Sequence, residues 1–433
     1  MSGYYIHIPF CKSRCYYCDF TSYANKSFQI NSYLDALAAE LLIRQSKLCS
    51  YKTTKPLHFE IPIHKFKKFN TPLPSTLPVR RRRSGGYPLP FFDTLYIGGG
   101  TPSFLSLKQI HRLLEAINLY LGPLKKFKEV TFEANPDSLS MEKIKALKNY
   151  GINRMSIGLQ TTNDKLLNTL GRKTAVSDFT KAYSNLKSAG FKNINIDIIC
   201  GIPGQTLQDL NQTLLHIIKL KSAHISIYGL EIHKGTVFFK KKIKSDGDMA
   251  FKMYEMARKT LNKAGYEHYE ISNFARKGYQ SKHNMNYWQN GEYMGFGCSA
   301  ASYLNGTRSK NTKNLAAYIN SKPSLNDWPP LEYSETLSGK EKLGEQIILG
   351  LRTAKGIVLS KHIFIEFKDS VEKLLKLGLV EVTPPPAYRL KGDLKIQKSR
   401  YTGQAGGGVK AGRLKIKPKY FYISNRIFAE FVI

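Results

Sequence analysis

Apolar positions along the chain alternate between two periods. Short apolar runs bounded by glycine, proline or asparagine are followed by longer segments in which Leu, Ile and Ala recur every three or four positions. These are the patterns of buried strands and of amphipathic helices. Tyr4–Pro9 predicts a buried strand that runs straight into a cysteine-bearing loop. Asn31–Leu48 predicts a helix, with Leu34, Leu37, Leu41 and Leu42 at helical spacing. Further strands are predicted at Leu95–Ile97, Glu129–Glu133, Arg154–Gly158, Asn193–Ile199 and His224–Tyr228. Helices at Leu107–Leu119, Met141–Asn149, Phe179–Ala189 and Leu207–Leu220 separate them, and a helix at Met249–Ala264 leads to the strand-like Tyr266–Ile271.

Alternation of strand and helix with short glycine-containing joins predicts an α/β fold, a parallel sheet covered by helices. The polar and glycine-rich sequences GGGTP, EANPD, GLQT and DIICGIPGQ each follow a predicted strand. A full or partial (β/α) barrel collects its chemistry at those strand ends. A Rossmann fold is the competitor, but the glycines at 98–100 lack the dinucleotide-binding spacing.

Two stretches break the rhythm. Tyr51–Phe92 holds five prolines between Pro56 and Pro78 and the run Arg80–Arg83, and reads as an irregular insertion. Pro384–Gly412 has the same character and reads as a flexible loop. Helical patterns at Leu343–Leu351 and Val371–Leu377, with alternation at Arg413–Ile416, predict a small α+β domain over residues 311–433 after a core of 1–310.

The formal net charge of +34 marks a surface able to attract polyanions. Its lysines are scattered, so a solubilising surface is the plainer reading and no specific nucleic-acid partner is expected. The Arg80–Arg83 run can be a polyanion or membrane-surface contact, or a solvated loop. Neither a signal peptide nor an apolar run long enough to span a membrane is visible, and free thiols favour a cytoplasmic, reducing compartment.

Three of the six cysteines, Cys11, Cys15 and Cys18, fall within eight positions as C-x3-C-x2-C. Cys49, Cys200 and Cys298 are isolated and read as small buried side chains. A local thiolate trio suits an iron–sulfur cluster with one iron left open, a zinc site completed by a fourth ligand, or a plain surface loop. His7 on the preceding strand reads as structural.

The segment HIPFCKSRCYYCDF resembles the signature loop of the radical S-adenosylmethionine (SAM) superfamily. Within it, the chain is similar to the coproporphyrinogen III oxidase-like branch, most of all to its haem chaperones. The resemblance implies a partial (β/α)6 TIM-like barrel with a small C-terminal domain. It implies that Cys11, Cys15 and Cys18 hold a [4Fe–4S] cluster whose fourth iron is chelated by SAM. Tyr5 would contact SAM near the cluster and Tyr17 its adenine end. Gly98, Gly99 and Thr101 of GGGTPS match the family's glycine motif, where small residues allow close backbone approach. Glu133 in TFEANP, Gln160 in SIGLQ, Arg172 in LGRK and Asp197 in NIDII match positions that line the cofactor pocket. Taken singly, Glu133 and Asp197 also read as helix caps, and Arg172 as a surface charge.

Two features bear on chaperone against oxidase. The oxidases of the branch carry a fourth cysteine two positions after the third, where this chain has Asp19-Phe20. The hexapeptide His283–Trp288, HNMNYW, resembles the HNxxYW motif associated with haem binding in the chaperones, with His283 as ligand or as a hydrogen-bonded residue. Relatives often carry a cysteine two residues before that histidine, where Ser281 stands here. GRLKIKPKYFYISNRIFAEF and EQIILGLRTAKGI resemble C-terminal elements of the same proteins. The resemblance implies a haem chaperone that passes haem to an acceptor protein, a membrane-associated one among the options. The alternative is an oxygen-independent coproporphyrinogen III dehydrogenase that uses a 5′-deoxyadenosyl radical.

Overall fold

A computed structural model describes residues 1–51, 92–321, 329–383 and 412–432, without the side chains of 45–51. The insertion read between Tyr51 and Phe92, its Arg80–Arg83 run, the Cys49 side chain and, up to residue 411, the loop read at Pro384–Gly412 lie outside the described residues.

β1 (Gly3–Ile8), β2 (Thr94–Gly99), β3 (Glu129–Ala134), β4 (Arg154–Gln160), β5 (Asn193–Cys200) and β6 (His224–Gly229) lie side by side in chain order, all parallel. Helices make the crossovers, as parallel strands require. Past β6 the sheet ends in antiparallel β7 (Glu267–Glu270) and β8 (Asn273–Ala275), with β8 next to β6. On the other side β9 (Tyr293–Phe296) pairs parallel with β1. Beyond it lie antiparallel β10 (Ala301–Leu304), β11 (Thr307–Asn311) and β12 (Leu331–Thr336). The sheet's end strands β12 and β7 do not pair, so it forms a partial barrel. Strands on both sides of residue 310 share it. A second sheet holds β13 (Ile357–Val358), β14 (Val380–Thr383) and β15 (Arg413–Ile416), with β15 in the middle. No described helix is long and apolar enough to cross a membrane.

The two faces of the six parallel strands differ in chemistry. Ile6, Leu95, Ile97, Val130, Phe132, Met155, Ile157, Ile194 and Ile196 are at most 1% exposed and join one apolar core. At roughly 1.5–3 kcal/mol per buried large side chain, this layer drives the closure of helices onto the sheet. The alternate positions, Tyr96, Glu133, Ser156, Asn195, Asp197 and Ser226, point into the barrel and line its cavity. Period-two alternation puts apolar residues under the helices and polar ones in the lumen. Helix starts follow local chemistry: Thr206 and Asp209 cap one another, the Asp209 amide donating to Thr206 Oγ1 at 3.1 Å and the Thr206 amide to Asp209 Oδ2 at 2.8 Å.

One buried carboxylate fastens the β9–β11 side to the core. Glu40, on the helix Ile30–Tyr51, is fully buried. Its Oε2 accepts from the Gly297 amide and the Tyr318 hydroxyl, each at 2.7 Å. Its Oε1 accepts from Asn311 Nδ2 at 2.8 Å and Arg44 Nη1 at 3.0 Å. Removing the carboxylate takes the counter-charge from the mostly buried Arg44, which keeps only its bonds to Gly295 O and Ser302 Oγ, and takes an acceptor from the Gly297 amide and Asn311. Glu40→Ala should therefore lower the unfolding free energy by about 3 kcal/mol or more in chemical denaturation, with Glu40→Gln intermediate. A loss below about 1 kcal/mol for the alanine variant would refute this role for Glu40.

Candidate cluster and cofactor site

β1 delivers the chain into the cysteine loop at the C-terminal ends of the parallel strands. Backbone bonds pin the loop on several sides. The Gly100 amide donates to Ile8 O at 2.9 Å and the Thr101 amide to Phe10 O at 2.8 Å. The Cys11 amide donates to Tyr23 O at 3.2 Å, the Tyr16 amide to Leu170 O at 2.9 Å, and the Phe238 amide to Tyr16 O at 2.9 Å. Lys12 adds an ion pair to Asp137 at 3.3 Å. The glycines are sterically required: Gly99 has φ +114°, and a Cβ there would fall 2.7 Å from the His7 ring.

Cys11, Cys15 and Cys18 are partly exposed and all line one cavity of about 780 Å³. Cys11 Sγ lies 3.3 Å from Thr101 Oγ1. Burial pushes the Cys11 and Cys18 thiols up from the ordinary cysteine range, so binding a metal there would release protons. Among the described residues no three Cys, His, Asp or Glu side chains converge as a single ion would need. A cubane cluster does not need that convergence, because each thiolate binds a separate iron.

The same cavity is lined by Tyr17, Gly99, Thr101, Glu133, Gln160, Arg172 and Asp197. Glu133 accepts from the Tyr96 hydroxyl at 2.5 Å and the Gly99 amide at 3.1 Å, and a Cβ on Gly98 would sit 2.8 Å from its carboxyl. Burial first, then the Asp197 charge, raises Glu133 to about 7 against the pull of Tyr96. Asp197 accepts from Ser156 Oγ at 3.0 Å and Asn195 Nδ2 at 2.8 Å. Arg172, 7% exposed, donates to Asn135 Oδ1 at 3.1 Å and Gly158 O at 3.3 Å and also engages Tyr17, while its Nε has no partner. Gln160 holds φ +69°, a left-handed conformation rare outside glycine, where the β4–β5 register slips. The set fits SAM and a cluster chemically. Thiolates suit iron, carboxylates can take hydroxyl donors, and the orphaned Arg172 Nε can take a carboxylate.

The radical SAM superfamily model matches residues 5–217. The haem chaperone HemW of Bacillus subtilis (strain 168) is 33% identical over 404 residues, covering 90% of this chain and 95% of that protein. HemW of Lactococcus lactis subsp. lactis (strain IL1403) is 34% identical over 437 residues, covering 99% and 97%. The chain belongs to the HemW family of radical SAM proteins. The structure of Escherichia coli coproporphyrinogen III oxidase, HemN, superposes with a TM-score of 0.71 over 99% of this chain and 89% of that one, at 20% identity, a likeness of fold.

In this HemW-family chain three expected site residues do not line the cysteine cavity: Gly98, which backs onto the Glu133 carboxyl and the Tyr96 ring, and Tyr5 and His283, which stand apart from it. Tyr5 lines a neighbouring cavity of about 660 Å³, and its hydroxyl meets His7 Nδ1 at 2.9 Å. His7 Nε2 is bound to Thr21 O at 2.9 Å, the structural role read for it. Asp19 and Phe20 line both cavities. His283 lies at the opposite end of the barrel, beside the first residues of β1 and β2, and is 1% exposed. Its Nδ1 meets Thr94 Oγ1 and its Nε2 the Tyr287 hydroxyl, both at 2.8 Å. Burial lowers it to about 3. In this conformation both ring nitrogens of His283 are thus engaged by protein hydroxyls. Ser281, in the place of the relatives' cysteine, caps the helix Lys282–Trp288.

Several cavity residues escaped the sequence reading: Arg14, Asn135, Arg154, Tyr228, Arg352, Phe421 and Tyr422. Polar residues at alternate positions of the strand RMSIGLQ were the available signal for Arg154. Nothing local marks Phe421 or Tyr422, which long-range packing brings to the cavity.

The raised Glu133 pKa gives a stability profile with a defined sign. The folded carboxyl holds its proton more tightly than the unfolded one, so its contribution is full below about 4.5 and is lost as pH rises toward about 7. Between those values the cofactor-free wild type should lose about 1–3 kcal/mol relative to Glu133→Gln, and the gap should level off above neutrality. Parallel denaturation profiles for the two proteins would contradict the assignment.

Proposed function

We propose that this chain is a haem chaperone: it binds haem and transfers it to an acceptor protein, with a SAM-coordinated [4Fe–4S] cluster on Cys11, Cys15 and Cys18. The observation that carries this is similarity over nearly the whole chain to proteins named haem chaperones, against a likeness to the oxidase that is one of fold. Asp19-Phe20 after the third cysteine agrees with it.

In this reading Thr101 steadies Cys11, and Gly98 and Gly99 leave room for the methionyl part of SAM. Arg172 takes its carboxylate, Glu133 and Asp197 take its hydroxyls, and Tyr17 and Gln160 border the adenosyl end. When bound, the reduced cluster with SAM supplies one-electron chemistry at a sulfonium. The protein's own part is to orient the groups and keep water out. Residues 1–310 would hold the cofactors, and residues 311–433 would close the far side of the cavity through Arg352, Phe421 and Tyr422. The thiolates call for a reducing compartment, the cytoplasm. The acceptor protein is unassigned.

Haem-loaded protein mixed with an apo-acceptor of b-type haem should pass haem on, read as a Soret shift to the acceptor's spectrum. The cluster-bearing protein should leave anaerobic coproporphyrinogen III unconverted in the presence of SAM and a reductant. Conversion to protoporphyrinogen, with no haem retained or passed on, would replace the chaperone reading with the dehydrogenase one.

A further inference from the structure

The cysteine cavity is also lined by residues that the reading above assigns to neither the cluster nor SAM. Among them are Arg154 and Arg352 and the rings of Tyr228, Tyr254, Phe421 and Tyr422. Tyr254 and Tyr422 pack with ring centroids 5.4 Å apart, and Tyr422 closes over Gly229, where a Cβ would lie 3.0 Å from its ring. An aromatic wall with two guanidiniums suits a flat ring system that carries carboxylates.

Neither guanidinium is saturated by the protein. Arg154 opens β4 and is 2% exposed; the Glu129 charge helps to hold it protonated, but among the described residues its side chain makes a single long hydrogen bond, 3.4 Å to Thr131 Oγ1, and its Nε has no partner. Arg352 caps the C-terminal end of the helix Gly339–Leu351, within the segment EQIILGLRTAKGI. Among the described residues its side chain makes no hydrogen bond or ion pair, and its Nε is buried without a partner. It lies over the Trp288 ring, 4.3 Å from the centroid, with Phe428 at 5.9 Å. Glu270 offsets its charge from beyond ion-pair distance, and one Glu270 oxygen accepts from the Ser272 amide at 3.2 Å. Burial therefore outweighs Glu270 and pulls Arg352 below the ordinary arginine range. A partly buried guanidinium with free donors toward a cavity is costly unless an anion arrives to use them.

We infer that Arg352, held on Trp288, grips a carboxylate of a tetrapyrrole in this cavity, with Arg154 as the deeper cation. The inference rests on the haem reading above and adds a place and a recognition chemistry to it. It also gives the Tyr287-Trp288 end of the HNMNYW motif a function independent of iron ligation: Tyr287 fastens His283, and Trp288 presents the arginine.

The test compares haem with haem dimethyl ester, the same macrocycle without its carboxylates, by Soret titration of the full chain. The wild type should bind haem about tenfold or more tighter than the ester, as a charge-assisted pair implies. Arg352→Leu should remove most of that preference by weakening haem while leaving the ester within about twofold, and Arg352→Lys should keep part of it. Equal binding of haem and ester by the wild type overturns the inference, with the chaperone reading intact. So does equal weakening of both ligands in Arg352→Leu. A wild type that binds neither macrocycle overturns the haem reading and this inference together.

Discussion

The site depends on the close approach of two backbones. The cysteine loop leaves β1 and lies directly on the glycine turn that ends β2, where Gly100 and Thr101 amides reach back to Ile8 and Phe10 carbonyls. A Cβ at Gly100 would fall 2.9 Å from Phe10 O, so a side chain there would push the loop off the turn. This contact brings Thr101 to Cys11 and sets the first cysteine against the rim of the barrel. The cavity-lining positions farther along β3, β4 and β5 are set from that anchor, because parallel register carries the strand ends into one plane.

The electrostatics of the lumen follow from the same alternation that builds the sheet. One face of each strand is apolar and dry under helices; the other brings acids and arginines into a shared cavity. Their mutual satisfaction is uneven. Asp197 is held by Ser156 and Asn195, whereas Arg172 and Arg154 retain buried donors without partners. Uneven satisfaction is costly in an empty barrel and useful in one that takes charged ligands. Tyr96 connects the two ends: its hydroxyl binds Glu133 and its ring packs on His283 at 5.2 Å between centroids.

Much of this was legible in the sequence because it rests on local signals. The strands β1 to β6 announce themselves as short apolar runs, and the polar motifs after them mark the working rim. The C-x3-C-x2-C loop, Glu133, Gln160, Arg172 and Asp197, each singled out by a local motif, line a single cavity. The strands β9 to β12 did not announce themselves, since they are short and carry polar residues such as Ser334 and Glu335 on an exposed edge. Tyr5 and His283 show a different limit. Their sequence context fixes their strand and helix, but which cavity a side chain meets depends on the far ends of neighbouring strands. Arg352 shows the same limit, since its meaning appears only where a C-terminal helix end meets Trp288.

The central claim is that three thiolates hold a cluster with one iron left for SAM. The most direct measurement is electron paramagnetic resonance of the anaerobically reconstituted, reduced protein, recorded with and without SAM. The account predicts a [4Fe–4S]⁺ signal whose g-values shift when SAM is added. A signal that ignores SAM, or a metal content of zinc in place of iron and sulfide, would contradict it.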